Sequence, residues 1–472
     1  MKRAICGIIV LLFFGGCTLG PNYSRPNIVT PENYRGAQTV AAAESIADLP
    51  WWELFKDPVL QGLIREALKN NYDLRAAAAR VELARAQIGV TKSFLYPQVG
   101  AQVQGTTEQV SRKSEPPQSL TRDRSFQNLF AGLSVAWELD IFGKIRRQTE
   151  AATATFVATE MDRRGVYITL VADVAQNYFN LRELDLELEI ARRTVGINDE
   201  TVQFYQTRVD GGVSNQLELD QAVANRARTA ATIPQLERRI VQLENLISYL
   251  IGHNPGPIER GPALGDQYSP PSIPTGLPAA LLERRPDVQT AEQLLVAANA
   301  NIGAAKALFF PDVSINAAVG ALGKNGNIFD KRAALWSVAG GFFQPIFQGF
   351  RLLWNYRGTL ASFDEAVAQY EKTAQNAYRE VADALVAIEK FQIERREKDA
   401  QVAALANASQ LSRHRYDVGL SNYLEVLIAD QQLFDAQIFL SQTQGSQINA
   451  VVQLYRALGG GWDEPAVQAA AQ

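Results

Sequence analysis

The feature that most constrains this chain of 472 residues is an internal duplication. The segment 73–97 reappears as the segment 287–311, and each runs over the same spacing from an aspartate to a proline. Further along, the segments 208–218 and 415–425 share seven of their eleven residues. A duplicated chain is expected to fold as two equivalent sets of elements, so the two halves can be interpreted together.

Each half contains one pair of strands. Apolar residues alternate with polar or small ones over 99–103 and 129–137, and again over 313–319 and 335–347. A period of two is typical of strands with one apolar and one polar face. We therefore predict two β-hairpins, at about 95–140 and at about 309–347.

Long helices follow both hairpins. Apolar residues then recur at steps of three and four, which is the seam of a coiled coil. One helix is predicted from about Arg146 to Tyr205, and its counterpart from about Leu352 to Tyr416. Each has roughly 60 residues, or about 90 Å at 1.5 Å per residue.

The strand count predicts an oligomer. Beyond the N-terminus the sequence has no run of about 18 apolar residues that would form a membrane-spanning helix. Bacterial membrane barrels have about eight strands or more, so four strands are too few to close one. Unpaired strand edges would also cost too much free energy in lipid. Three copies would supply twelve strands; two copies would also satisfy the count. The predicted fold class is an α+β membrane protein in which a long antiparallel α-helical coiled-coil barrel adjoins a transmembrane β-barrel, with four strands per protomer and twelve in a trimer.

The N-terminus has the features of an export signal. Lys2 and Arg3 precede an apolar run over 8–14, and Cys17 follows two glycines. This pattern resembles the lipobox of bacterial lipoproteins, which implies cleavage after residue 16 and acylation of Cys17. Thr18 in place of an aspartate favours sorting to the outer membrane. An ordinary signal peptide with an incidental cysteine is the alternative.

Composition argues against several other functions. The formal net charge is -4, whereas a protein that binds nucleic acid needs a basic face. Both cysteines, Cys6 and Cys17, lie at the start, so the body of the chain has no cysteine site. His253 and His414 are far apart and have no companions at ligand spacing. We expect no enzymatic activity, no metal site and no cofactor beyond the lipid on Cys17.

Several features together resemble the outer membrane factor family, the TolC-like outer-membrane efflux lipoproteins. They are the lipobox, the stretch 20–26 (Gly-Pro-Asn-Tyr-Ser-Arg-Pro), the Trp51-Trp52 pair, and the duplicated aspartate-to-proline segments. The resemblance covers essentially the whole mature chain. It implies a homotrimer in the bacterial outer membrane that extends into the periplasm. It also implies docking with a periplasmic membrane-fusion adaptor and an inner-membrane pump, the latter of the RND type.

The resulting organisation has six parts. They are a lipoprotein signal peptide (1–16), a lipidated N-terminal segment with an equatorial region (17–70), a first structural repeat (71–253), a Pro/Gly-rich connector (254–278), a second structural repeat (279–460) and a C-terminal tail (461–472).

The resemblance also implies functional residues at the turns between the long helices. The turns that would meet the adaptor contain Gly212, Val213 and Ser214 in the first repeat, and Val418, Gly419, Leu420 and Ser421 in the second. The periplasmic gate would involve Glu425. Family members usually have an aspartate at the position of Ile428, and Asp430 lies two residues further on, about 200° around the helix. The gate is therefore expected to involve Glu425 or Asp430, a choice that stays open, with apolar closure by Tyr423 and Ile428.

Two alternatives to this function stay open at this point. The chain could be an outer-membrane duct for type I protein secretion rather than small-molecule efflux. It could be a lipid-anchored coiled-coil scaffold without a channel, although that would not explain the strand pairs. The cargo cannot be deduced from the sequence, and neither can the identity of the adaptor and the pump.

Overall fold

The computed structural model describes residues 18–35, 50, 54–109, 125–264, 278–324 and 327–460. These residues form two compact units, each built from three separate stretches of the chain. Unit 1 contains the described parts of 1–27, 80–160 and 290–370. Unit 2 contains the described parts of 28–79, 161–289 and 371–472.

The elements repeat in the same order in the two halves. The first half consists of α1 (Pro58–Asn70), α2 (Tyr72–Ser93), β1 (Gln98–Gln109), β2 (Ser125–Leu139), α3 (Lys144–Asp210) and α4 (Gln216–Leu250). The second consists of α5 (Leu281–Arg284), α6 (Pro286–Ala307), β3 (Asp312–Lys324), β4 (Ala334–Phe343), α7 (Arg351–Asp417) and α8 (Tyr423–Ala457). Two 3-10 turns, Pro278–Ala280 and Lys331–Ala333, precede α5 and β4.

Helix lengths confirm the predicted duplication. Helices α2 and α6 each have 22 residues, α3 and α7 each have 67, and α4 and α8 each have 35. Both long helices extend a few residues beyond their predicted ends. Strand β4 ends at Phe343 rather than at Phe347, because Pro345 has no backbone N–H to continue the ladder.

Unit 1 contains a four-stranded antiparallel sheet in the order β1-β2-β3-β4. The register places apolar residues opposite one another across the strands, for example Ala101 against Leu133, Leu133 against Val319, and Val319 against Trp336. One face is therefore apolar throughout, and several of its side chains are exposed, with Val103 at 75% and Trp336 at 78%. The opposite face carries glutamine, serine, asparagine and small residues, together with some large apolar ones such as Phe130 and Leu322.

Unit 2 has a large apolar core in which α3 packs against α1, α4 and α8. At its centre the fully buried Tyr178 donates a hydrogen bond of 2.7 Å to Asp57, which also caps the N-terminus of α1. The backbone N–H of Gly261 donates to the Tyr178 hydroxyl at 2.9 Å, so the segment after α4 is held on the same core. No helix in the described ranges is long and apolar enough to cross a membrane.

Candidate functional site

The first candidate turn joins α3 to α4 in unit 2. The N–H of Val213 donates to the carbonyl of Arg208 at 2.9 Å, and the N–H of Gly212 donates to that of Val209 at 2.9 Å. This pair of bonds is a Schellman motif, which closes a helix with a left-handed residue. Gly212 supplies that residue, with φ +69°.

The second candidate turn joins α7 to α8 and has the same geometry. The N–H of Leu420 donates to the carbonyl of Arg415 at 2.8 Å, and the N–H of Gly419 donates to that of Tyr416 at 2.9 Å. Gly419 is left-handed, with φ +76°. The seven residues shared by 208–218 and 415–425 therefore encode one turn used twice.

Both following helices begin with a matching cap. Asn215 accepts a hydrogen bond from the N–H of Glu218, and Asn422 accepts one from the N–H of Glu425. The asparagine side chain accepts a hydrogen bond from a backbone N–H of the first turn, which has no partner within the helix. A glutamate three residues later is typical of such helix starts. Glu425 is thus part of a helix start as well as a predicted gate residue.

Side-chain contacts differ between the two turns, although their residues are the same. In the first, Ser214 donates a hydrogen bond to the Glu218 carboxylate. In the second, the Glu425 carboxylate instead pairs with Arg415 at 3.2 Å, both groups being about half exposed. The equivalent hydroxyl, Ser421 Oγ, is buried and has no hydrogen-bond partner among the described residues.

Arg208, the counterpart of Arg415, makes aromatic contacts. Its guanidinium lies 5.4 Å from the ring centroid of Phe204 and 5.9 Å from that of Tyr416. These are cation–π distances. Because Tyr416 belongs to α7, the contact links the two helical hairpins near their turns.

An aromatic cluster joins the hairpins and contains Tyr423. The Tyr423 ring lies 4.5 Å from that of Tyr205 and 6.1 Å from that of Tyr416. Only 4% of Tyr423 is exposed, and burial raises the pKa of its hydroxyl to about 12. Within the single chain its apolar surface packs between helices, and its role in closing the gate stays a prediction.

The other predicted gate residues lie on different faces of α8. Ile428 is 47% exposed and Glu425 is also exposed. Asp430 instead faces α7, where it accepts hydrogen bonds from Ser409 at 2.5 Å and from Arg413 at 2.6 Å. Asp430 is therefore held within its own hairpin, away from the exposed surface that carries Glu425 and Ile428.

Three of the turn residues predicted to meet a partner are exposed and apolar. Val213 is 66% exposed, Val418 is 55% exposed and Leu420 is 70% exposed. Leu217, at 64%, adds to this surface. Apolar side chains grouped on an exposed turn are typical of a contact surface. Cys17, the predicted lipidation site, lies outside the described residues.

Sequence reasoning missed a polar seam between α3 and α8. Asn449 donates to Asn180 at 2.7 Å, and Gln442 donates to Glu187 at 2.8 Å. A carboxylate oxygen of Glu183 occupies the space that a side chain at Gly445 would need. The apolar heptad pattern on α3 concealed these residues, whose only signal was polar residues recurring at the same steps of three and four.

One family match covers most of the chain. The family described as outer membrane efflux protein matches residues 63–253 and 277–460, one match per repeat. The chain is 34% identical to the cation efflux system protein CusC of Escherichia coli, over 96% of this chain and 98% of the relative. It is 36% identical to the solvent efflux pump outer membrane protein SrpC of Pseudomonas putida, over 98% and 99%.

Two further comparisons bear on location and fold. The chain is 33% identical to the probable outer membrane lipoprotein SilC of Salmonella typhimurium, over 98% of this chain and 100% of the relative. The solved structure of the outer-membrane channel OprN superposes with a TM-score of 0.87 at 30% identity, covering 94% of this chain and 100% of that one.

We predict that Tyr423→Ala loosens both hairpins near their turns. Removing a fully buried aromatic ring typically costs about 3–5 kcal/mol. Hydrogen exchange should show faster opening of residues 202–222 and 416–430. Leu424→Ala is the matched control, because that side chain is 48% exposed and its loss should change stability by less than about 0.5 kcal/mol. Equal exchange in the two variants would contradict the prediction.

We also predict a pH-dependent effect of Glu183→Gln. Burial, and then the neighbouring Glu187, raise the pKa of Glu183 to about 7 from its ordinary 4.5, and Arg239 opposes the rise. Between these pH values the folded chain keeps a proton that the unfolded chain releases, so this contribution to stability is lost as the pH rises through about 7.

The glutamine variant cannot ionise, so it should be more stable than the native chain at pH 8, and the difference should vanish near pH 4. Urea unfolding at both pH values measures this. The control is Glu189→Gln, because the Glu189 side chain is 71% exposed and should show no such trend. A gain for Glu183→Gln that is the same at both pH values would contradict the assignment.

Proposed function

Because this chain belongs to the outer membrane efflux protein family and is an outer-membrane channel component of an efflux system, we propose that three copies assemble into one passive duct. The duct would receive cargo from an inner-membrane pump through a periplasmic adaptor. The family, the fold class, the outer-membrane location and the efflux function predicted from the sequence are thereby confirmed. What we propose is the number of copies, the identity of the partners as an adaptor and a pump, and the roles of the site residues.

The main support for an oligomer is the sheet of unit 1, and we propose that the oligomer is a trimer. Strands β1 and β4 are at its two edges, so each pairs on one side only within the described chain. Backbone N–H and C=O groups left unpaired in lipid cost several kcal/mol each. Pairing β1 of one copy with β4 of the next satisfies these groups, and three copies close a ring of twelve strands with the apolar face toward lipid.

The exposed apolar turns support an adaptor partner. Two turns per chain and three chains would give six similar turns, each presenting residues such as Val213 or Leu420. Their backbone geometry is fixed by the Schellman motifs, so the surface is preorganised for a helical partner. We propose that these turns receive the helical hairpins of the adaptor.

We propose that the gate rests on Glu425 and Ile428, which share the exposed side of α8. In a trimer, three such helix starts would converge, and a ring of carboxylates would favour cations at the entrance. The bonds from Arg413 and Ser409 to Asp430 hold α8 against α7 in each copy. Opening would therefore either break this ion pair, in which Asp430 is 13% and Arg413 is 38% exposed, or move α7 and α8 together.

We further propose that the duct does not select its cargo and is anchored by lipid on Cys17. Two relatives of similar sequence identity are named for different cargoes, one for cations and the other for solvents. Sequence identity to them therefore does not indicate which cargo this chain exports. The chain has only two methionines and two histidines, which gives no ladder of soft ligands for metal ions.

Native mass spectrometry and planar-bilayer conductance of the detergent-extracted protein test the channel. We expect a trimer that conducts weakly at rest, and Arg413→Ala should raise the conductance several-fold because Asp430 loses its cation. The control is Arg226→Ala, which removes a half-exposed ion pair with Asp199 on the outer part of a hairpin. A monomer or dimer without conductance in either variant would refute the duct.

Site-specific cross-linking tests the adaptor surface. A photo-reactive residue at Leu420 should form an adduct with the adaptor of the same efflux system when the two are purified together. The same group at Leu411, a comparably exposed residue (59%) on α7, should not. Adducts at both positions, or at neither, would count against docking at the turns.

A further inference from the structure

A broad groove runs beside α1 in unit 2, apart from the turns and the proposed gate. It has a volume of about 1100 Å³, and most of its lining comes from α1 and from the segment 251–259 that follows α4. Helix α3 adds Arg163 and Tyr167, and all of these residues belong to unit 2. Pockets for small molecules have volumes of about 300–1,000 Å³, so the groove is large enough for a segment of another chain.

Helix α1 turns one face to the core and another to the groove. Leu60 and Ile64 are fully buried. The groove is lined instead by residues that recur at steps of three, four and three and therefore share one face of the helix: Val59, Gly62, Glu66 and Lys69. The cap by Asp57 and its bond to Tyr178 fix the start of α1, so this face has a defined position in unit 2.

Apolar side chains at the edge of the unit 2 core form part of the groove. Ile251 and Ile258 are buried, and Val59, Leu68 and Leu74 are partly buried against the same core. All five line the groove. Apolar surface of this kind is stabilised when apolar side chains of a partner displace water from it.

Gly62 lies in the interior of α1, where glycine destabilises a helix relative to alanine. A Cβ at this position would meet no heavy atom within 4 Å, so no contact with the described residues requires a glycine here. A glycine on an exposed helix face lets the backbone of another segment approach closely. Its place in the groove therefore favours a peptide segment over a small molecule.

The charged residues of the groove are mostly basic. Three are basic and two are acidic: Arg65, Lys69, Arg163, Glu66 and Glu259. Glu66 already pairs with His253 at 3.1 Å. Lys69, in the last turn of α1, is exposed and has no ion pair with the described residues. Arg65 lies one turn before it and donates to the neutral amide of Gln61 at 3.1 Å. The groove is therefore complementary to a partner that carries carboxylates one helical turn apart.

We propose that this groove binds an acidic amphipathic helix of another protein. Apolar side chains of that helix contact the apolar part of the groove, and its backbone passes over Gly62. Two of its carboxylates, four residues apart, pair with Arg65 and Lys69, which have the same spacing. Helix α1 has 13 residues and is about 20 Å long, so the two helices would be in contact over about three or four turns.

This inference goes beyond the proposed duct, because it concerns a partner other than the copies that form the channel and the adaptor at the turns.

Peptide binding to the full-length, lipidated protein in lipid nanodiscs tests the proposal. The probe is a fluorescent, stapled helix of about 14 residues, with a leucine stripe and pairs of glutamates four residues apart. A second peptide has lysine in place of each glutamate. Fluorescence anisotropy measures the binding of both peptides, and empty nanodiscs give the background.

We expect saturable binding of the acidic peptide, which weakens with added salt because its charge pairs are exposed. The affinity should fall about tenfold or more when the basic peptide replaces the acidic one, and also in the variant Lys69→Glu. The matched control is Lys92→Glu, because Lys92 is an exposed lysine in the last turn of α2, outside the groove. This control should bind the acidic peptide with native affinity.

Gly62→Leu tests the close approach of the backbone. A leucine side chain would fill the space over α1 and should abolish binding. Gly89→Leu in α2 replaces another helical glycine that has no heavy atom within 4 Å of its Cβ position, and it should leave the affinity unchanged.

The proposal would be overturned by the absence of saturable binding, by equal binding of the two peptides, or by equal affinities of either variant and its matched control. Native mass spectrometry of Gly62→Leu and Lys69→Glu covers a second copy as occupant. A change in the number of copies would assign the groove to a neighbouring copy and overturn the proposal too. Competition by unstructured polyglutamate as strong as that of the acidic helix would overturn it in favour of polyanions in general.

Discussion

The structure depends on the hydrogen-bonding requirement of strand edges. A four-stranded sheet leaves one edge of β1 and one edge of β4 without a partner strand among the described residues. In water, solvent would satisfy these groups, but lipid offers no donors or acceptors. In the proposed duct neighbouring copies would supply the missing partners, and assembly would then be part of folding rather than an event that follows it. The apolar face created by the strand register adds to this dependence, because it too is stable only against lipid.

The two repeats share their backbone geometry but differ in their side-chain contacts. At the turns, the same residues build the same backbone, yet Glu218 bonds Ser214 while Glu425 pairs with Arg415. At the starts of the long helices, Gly143 is left-handed before α3, whereas both Gly349 and Phe350 are left-handed before α7. The copies have thus kept their backbone and diverged in side-chain contacts, which is the expected order because backbone geometry determines how the repeats stack.

Much of this fold could be predicted from the sequence because its patterns are long and regular. Strand alternation and the helical seam each extend over many residues, and the matching segments 208–218 and 415–425 located both turns. The contacts of Tyr423 could not be predicted, because a position at a helix start does not reveal which neighbours pack against it. The polar seam with Glu183 and Glu187 was missed for a related reason, since its partners on α8 are about 250 residues away in sequence.

The paired helices have equal lengths, so the length of each helix fixes which side chains face the neighbouring helices. A single inserted residue would turn every later side chain by about 100° around the axis, so the core, the seam and the turn beyond it would all lose register together. The strand loops carry no such penalty, and the interval from β1 to β2 is indeed longer than that from β3 to β4. We therefore expect inserted residues, including grafted peptide tags, to be accommodated best between β1 and β2 and between β3 and β4.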